Sequence, residues 1–221
     1  MKLLAFLLLL SASAQAYTPP KAGTVRIIED FQGGPEGKFP VNWRTYPFQR
    51  GKAREVYQVA AEHGNHFLRA LDSQNFSVQI FREFSWATNE YPKLSWRWRA
   101  QTIPAGGDER NADTNDSACG VYVVFGKYTG TAIKYVWSST LPVGTIIEKK
   151  PGHFYLVVVN SGESRLKQWH AVSINALQDY QRLFKMPPSR PPSGFGILTD
   201  GNALQTTAAC DYDDFQVSHE D

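Results

Sequence analysis

Lys93-Leu94-Ser95-Trp96-Arg97-Trp98-Arg99 is the stretch that decides the fold. Successive side chains of a β-strand point to opposite faces, so this run sets Leu94, Trp96 and Trp98 on one side and Lys93, Ser95, Arg97 and Arg99 on the other. One face suits a core and the other is polar. The runs 118–125 and 154–159 are apolar on both faces, which marks strands in the middle of packed sheets.

From Thr24 onward the chain breaks into short segments rich in β-branched and aromatic residues, separated by clusters of Gly, Pro, Asn and Asp. That spacing is typical of sandwiches. Strands are predicted over 25–31, 57–60, 66–72, 76–83, 93–100, 118–125, 131–137, 154–160, 169–173, 194–199 and 211–217. So many exceed what one open sheet holds comfortably, so two antiparallel sheets packed face to face are expected. One segment departs from the pattern: Ile174, Leu177, Tyr180, Leu183 and Phe184 recur at helical spacing, predicting one short amphipathic helix. Pro187, Pro188, Pro191 and Pro192 then bar regular structure until Gly194.

Residues 1–16 carry one positive charge at Lys2, an apolar run from Leu3 to Leu10, and Ala14 and Ala16 flanking Gln15. This is the layout of an export signal cleaved after Ala16, leaving 17–221 as one β-sandwich domain in the periplasm or outside the cell. The apolar core is shorter than the roughly 20 residues that span a bilayer, and no later stretch approaches that length. No membrane span is therefore expected. Lys and Arg number 23 against 21 Asp and Glu, interspersed along the chain, which argues against nucleic acid as partner. Cys119 and Cys210 are the only cysteines, and in an exported chain they form either a disulfide or two small buried thiols.

Three constellations could carry function. Glu29 and Asp30 near the start, with Asp213 and Asp214 near the end, could gather hard oxygen ligands around a structural Ca²⁺, or could be solvated strand ends. The acidic loop 108–116 precedes a central strand, where loops carry function disproportionately, but it lacks the glycine and distal glutamate of a calcium loop and is expected to be solvated. The third set is aromatic: Trp96, Trp98, Tyr122, Tyr135, Trp137 and Trp169, with Arg97, Arg99 and His170 beside them. Sugar recognition needs flat rings for pyranose C–H faces and polar groups for hydroxyls, although the same rings would serve a core equally well. Arg97 and Arg99 share the polar face of their strand and are the favoured ligand-facing pair.

Catalytic signatures are absent: there is no HExxH, CxxC, phosphate-cradling glycine loop or G-x-S-x-G elbow. His63, His66, His153, His170 and His219 are scattered, and Glu83, Asp108, Asp116 and Asp200 have no motif behind them.

Several ordered pieces resemble the bacterial exported family designated domain of unknown function 3047. They are Phe39-Pro40-Val41-Asn42-Trp43, Leu94 to Arg99, Asp116 to Phe125, Tyr135-Val136-Trp137-Ser138, Asp179-Tyr180, Gly196-Ile197-Leu198-Thr199-Asp200 and Asp213-Asp214-Phe215. The resemblance implies a lectin-like or carbohydrate-module-like jelly roll and supplies no catalytic residues. After Thr199, a family-like run of acids is reduced here to Asp200 and Asn202. The expected fold class is thus all-β, a concanavalin-like jelly-roll sandwich with one short helix. The expected function is non-catalytic binding of a saccharide or cell-envelope ligand through Arg97, Arg99, Tyr122, Tyr135, Trp137, His170, Asp116 and Asp200. A polysaccharide hydrolase or lyase and a structural envelope protein are the alternatives. Replacing Arg97 and Arg99 by Ala is expected to abolish binding and leave the thermal midpoint largely intact.

Overall fold

The computed structural model describes residues 25–126 and 130–219. The export signal expected over 1–16 lies outside the described residues.

In chain order the strands are β1 Val25–Glu29, β2 Tyr57–Glu62, β3 Asn65–Asp72, β4 Ile80–Glu83, β5 Lys93–Thr102, β6 Cys119–Phe125, β7 Thr131–Ser138, β8 Ile146–Lys150, β9 Phe154–Ser161, β10 His170–Asn175, β11 Pro192–Ile197 and β12 Ala208–Ser218. They form a two-sheet jelly-roll sandwich. The first sheet runs β10-β5-β12-β3-β2, with β1 also paired to β12, and the second runs β4-β11-β6-β7-β9-β8. Among the described strands, only β7 and β9 pair in parallel, because β8 folds back on the outside of β9 as an edge hairpin.

The period-two pattern holds where it was read. Leu94, Trp96 and Trp98 of β5 are fully buried and meet Val121 and Val123 of β6 and Ile133, Tyr135 and Trp137 of β7 between the sheets. Trp96 stacks on Phe215 at 6.3 Å and meets Trp98 edge-on at 5.4 Å, so the interior is an aromatic layer. The buried indole N–H of Trp98 donates to Asn160 and that of Trp137 to the Gly162 carbonyl, both at 3.0 Å. Cys119 on β6 and Cys210 on β12 form a disulfide that ties one sheet to the other across this core.

Two helices accompany the strands where one was expected. α1, Arg50–Val56, is a seven-residue helix, too short to show periodicity in sequence. α2, Ala176–Phe184, is the predicted helix, capped by Asn175, whose side chain accepts from the Gln178 N–H. It closes one end of the sandwich by burying Tyr180, Leu183 and Phe184. Among the described residues, no helix is long and apolar enough to cross a membrane.

The segment predicted as one strand over 76–83 enters the sheet only at Ile80. The reason lies upstream: the buried Asp72 carboxylate accepts from the backbone N–H groups of Phe76 and Ser77 at 3.0 and 2.9 Å, winding 73–77 into a turn.

Candidate functional site on the outer face of the second sheet

Because Ile80, Val121, Ile133 and Ile197 point inward, their chain neighbours point away from the core. Strand register aligns these neighbours in a row across the sheet: Phe81 opposite Gly196, Gly196 opposite Tyr122, Tyr122 opposite Lys134, and Lys134 opposite Leu156. A second row holds Glu83, Gly194, Val124, Ala132 and Phe154. Gly196 places no side chain of its own between the rings of Phe81 and Tyr122, which makes a trough in this row, whereas a Cβ at Gly194 would run into the Arg82 carbonyl, so that glycine serves the close approach of β4. Tyr122 and Phe154 are both half-buried and stack at 5.9 Å with their planes 17° apart.

Polar groups stand in this trough. A Cβ at Gly196 would lie 3.1 Å from the Gln79 amide nitrogen, so that carboxamide hangs over the glycine. It makes no hydrogen bond among the described residues, and Gln79 is half-buried. Lys134 is only 4% exposed, and its ammonium lies 5.3 Å from the Tyr122 ring centroid, in cation–π range. Gly120 makes this possible, since a Cβ there would stand 2.8 Å from the Lys134 Cε. Burial pulls the Lys134 pKa down, but Tyr122, Asp200 and Glu109 outweigh it and hold the ammonium above its ordinary range. Asp200, which follows β11, is also buried; that burial, with the nearby Asp116 charge, raises its carboxyl above the usual range against the pull of Lys134.

The loops beside the trough are fixed by buried acids. The Asp116 carboxylate accepts from the N–H groups of Ala203 and Leu204 at 3.0 and 2.7 Å, clamping the loop that carries Asp200. Glu109 is fully buried and accepts from the hydroxyls of Ser117 and Ser138 at 2.8 and 2.6 Å. Lys149 donates to the Glu109 carbonyl and to Asn115. The acidic segment 108–116, expected to be solvated, is therefore packed onto the second sheet through Glu109 and Asp116. Only its outer part faces water, where the Arg110 guanidinium holds the Asp108 carboxyl down at about 2.

The eight residues expected to face a ligand separate into different environments. Tyr122 lies in the trough and Asp200 beside it, while Asp116 holds the adjoining loop. Tyr135 and Trp137 are core residues, and the Tyr135 hydroxyl donates to Asp179 of α2 at 2.9 Å. His170 packs edge-on against Trp137 at 4.9 Å, at the end of the sandwich.

Arg97 and Arg99 lie on the outer face of the first sheet and are committed there to ion pairs. Arg99 donates to Asp211 and Glu62, at 2.9 and 2.8 Å. Arg97 pairs with Asp213 and Asp214. Trp169 lies over both guanidinium groups, at 4.7 Å from Arg99 and 5.1 Å from Arg97. The ligand-facing role expected of them meets a face whose charges are already paired, with Arg99 buried and Arg97 still 37% exposed.

The four acids considered for Ca²⁺ are also occupied. Glu29 accepts from the Phe31 and Trp43 N–H groups and pairs with Arg82, Asp30 accepts from the Gln32 N–H, and Asp213 and Asp214 hold Arg97. Among the described residues, no three His, Cys, Asp or Glu side chains gather where a metal could sit. These residues do not fit a calcium site.

Gln79, Phe81, Lys134 and Phe154 were missed in the sequence. The signal for Lys134 was available, since it interrupts the apolar Ile133, Tyr135, Val136 and Trp137 of a central strand.

Architecture and face together define a jelly-roll sandwich with an aromatic, partly polar trough on one outer sheet. The chain belongs to the family described as protein of unknown function DUF3047, whose model matches residues 41–216. No curated protein is a significant match. Among solved structures, the chain is similar to the family 11 carbohydrate-binding module from Clostridium thermocellum in complex with a β-1,3-1,4-mixed-linked tetrasaccharide. That match has 9% identity and a TM-score of 0.45, covering 90% of this chain and 98% of that one. It is also similar to the xyloglucanase domain of NopAA from Sinorhizobium fredii, at 11% identity and a TM-score of 0.43, covering 95% and 100%.

Proposed function

We propose that this protein binds a saccharide without turning it over, through the outer face of the second sheet, in the periplasm or outside the cell. The observation that carries the reading is the row Phe81, Gly196, Tyr122, Lys134, where half-buried rings flank a glycine floor beneath the carboxamide of Gln79. Rings of this kind offer a stacking surface for pyranose C–H faces, and the Gln79 amide offers partners for hydroxyls, while the buried Lys134 ammonium braces the Tyr122 ring. Binding is favoured over hydrolysis because a glycosidase needs two available carboxyl groups, whereas Asp116, the acid near Asp200, is spent on two backbone amides. The buried disulfide supports an oxidising compartment.

The test is a glycan array followed by calorimetric titration of the wild type, Tyr122→Ala and Lys134→Met. The wild type is expected to bind, with affinity reduced about tenfold or more in each variant, as expected for losing one ring or cation contact. Variants that bind as the wild type does would remove this face from consideration. Release of reducing ends or unsaturated sugars would replace the reading with a hydrolase or lyase.

A further inference from the structure

We infer that the face continues past Phe81 onto the rings of Tyr46 and Phe48, and that its ligand is an extended β-linked polysaccharide chain and not a single sugar. The inference rests on the saccharide reading above and extends it. Residue 44 is hydrogen-bonded to β4: the Arg44 N–H donates to the Phe81 carbonyl at 2.9 Å and the Phe81 N–H to the Arg44 carbonyl at 2.8 Å. This pairing places the following residues, 45–48, at the open edge of the second sheet.

There the Tyr46 ring lies 6.0 Å from Phe81, and the Phe48 ring lies 5.9 Å from Tyr46 with their planes 18° apart. Phe48 is 82% exposed and Tyr46 50%. A single exposed ring needs no explanation, but two stacked together and continuous with a third form a patch. Their relative position is held by a short 3₁₀ turn begun by Pro47, in which the Gln49 N–H donates to the Tyr46 carbonyl at 2.9 Å. The platform is thus formed before any ligand arrives, which lowers the ordering cost of binding.

Three aromatic stations then follow one another across the strands: Tyr46 with Phe48, then Phe81, then Tyr122, on which Phe154 of the second row stacks. Phe81 and Tyr122 are two strand spacings apart, roughly 9–10 Å, so one sugar ring cannot cover both. A β-linked chain presents C–H faces repeatedly in one plane and can meet successive stations. The interval between Phe81 and Tyr122 holds Gly196 and the Gln79 amide, and the rim holds the exposed Arg44–Glu83 ion pair at 3.2 Å. A protein partner would instead require a continuous apolar centre, and glycine and polar groups interrupt this one.

The experiment titrates β-1,4-gluco-, β-1,4-manno- and β-1,3-gluco-oligosaccharides of two and six units into the wild type and the Tyr46→Ala/Phe48→Ala double variant. In at least one series the wild type is expected to bind the six-unit sugar about tenfold or more tighter than the two-unit sugar, as added ring contacts require. The double variant is expected to lose that gain while keeping its thermal midpoint and its two-unit affinity. A gain that survives in the variant overturns the inference and leaves the saccharide reading standing. So does failure of the wild type to bind any of the three series when the array is positive elsewhere. An array with no binding overturns both.

Discussion

Replacing Arg99 by Ala should destabilise the protein strongly and leave saccharide binding unchanged, the reverse of what its position in the sequence suggests. The Asp211 carboxylate has no exposed surface, and it accepts from the Arg99 Nε at 2.9 Å, the Gln101 amide at 2.6 Å and the half-exposed Arg69 at 3.4 Å. Removing one partner of a buried ion pair costs about 3–5 kcal/mol, because an uncompensated charge stays in a poorly polarisable site. Gln101 and Arg69 remain, which places the expectation near the lower limit. The lost packing of the guanidinium under Trp169 and over Phe67, at 4.7 and 5.3 Å, adds roughly 0.5–1 kcal/mol. A loss of about 3–4 kcal/mol follows, which lowers the midpoint of a domain this size by roughly 6–16 °C.

Equilibrium denaturation with urea measures the loss directly, and a double variant isolates its origin. Arg99→Leu with Asp211→Leu should recover most of the stability, since apolar replacement of a whole buried pair is often neutral. A loss below about 1 kcal/mol, well under the buried-pair range, would refute the reasoning. Weakened saccharide binding at unchanged stability would return Arg99 to the ligand.

Two further outcomes follow from named groups. Substituting both Cys119 and Cys210 by Ala opens a cross-link spanning 91 residues, whose loop-closure entropy corresponds to about 4.6 kcal/mol in the chain-entropy account. Denaturation should show a loss of 3 kcal/mol or more on the order of that figure, and a difference under about 1 kcal/mol would place the staple's effect elsewhere. Burial, reinforced by the neighbouring Asp214 charge, pushes the Asp213 carboxyl up to about 6. A raised carboxyl stabilises the fold fully below its unfolded pKa near 4, and that contribution is lost as pH rises through 6. Asp213→Asn should therefore gain on the wild type by up to about 3 kcal/mol between pH 4 and 7, and parallel stability profiles across that window would sink the assignment.

The fold was legible because its strands are amphipathic in a simple way. Trp96 and Trp98 announce a core face whatever they pack against, and the doubly apolar runs of β6 and β9 announce central strands. β8 was missed because Ile146-Ile147-Glu148-Lys149-Lys150 sits at the sheet edge with both isoleucines partly exposed, so its sequence carries little of the burial signal. The site was legible only in part. Tyr122 and Asp200 have suggestive chemistry by themselves, but Gln79 and Lys134 matter only once register sets them beside Gly196 and Tyr122. The pairing of Arg97 and Arg99 was likewise invisible, since their partners Asp213 and Asp211 lie 116 and 112 residues away along the chain.

Cross-strand register also explains why the two outer faces hold their charges differently. On the first sheet, Arg97 stands opposite Asp213 and Arg99 opposite Asp211, so each cation meets an anion from the adjoining strand. The bulge in β12, with Asp214 at φ 53°, adds a second acid to Arg97. Charge on that face is consumed within the sheet and then roofed by Trp169. On the second sheet, Lys134 stands opposite Tyr122 on one side and Leu156 on the other, so neither flanking strand offers it an acid. Its ammonium is held above its ordinary range by Tyr122 and by the loop acids Asp200 and Glu109, none of which is a carboxylate of the ladder itself. Its neutralisation comes from outside the ladder and beneath the surface, so Lys134 braces the Tyr122 ring and the adjoining loops in place of a cross-strand ion pair. On the proposed reading it is therefore the half-buried rings of Phe81 and Tyr122, and not a charge on either sheet, that would meet a ligand.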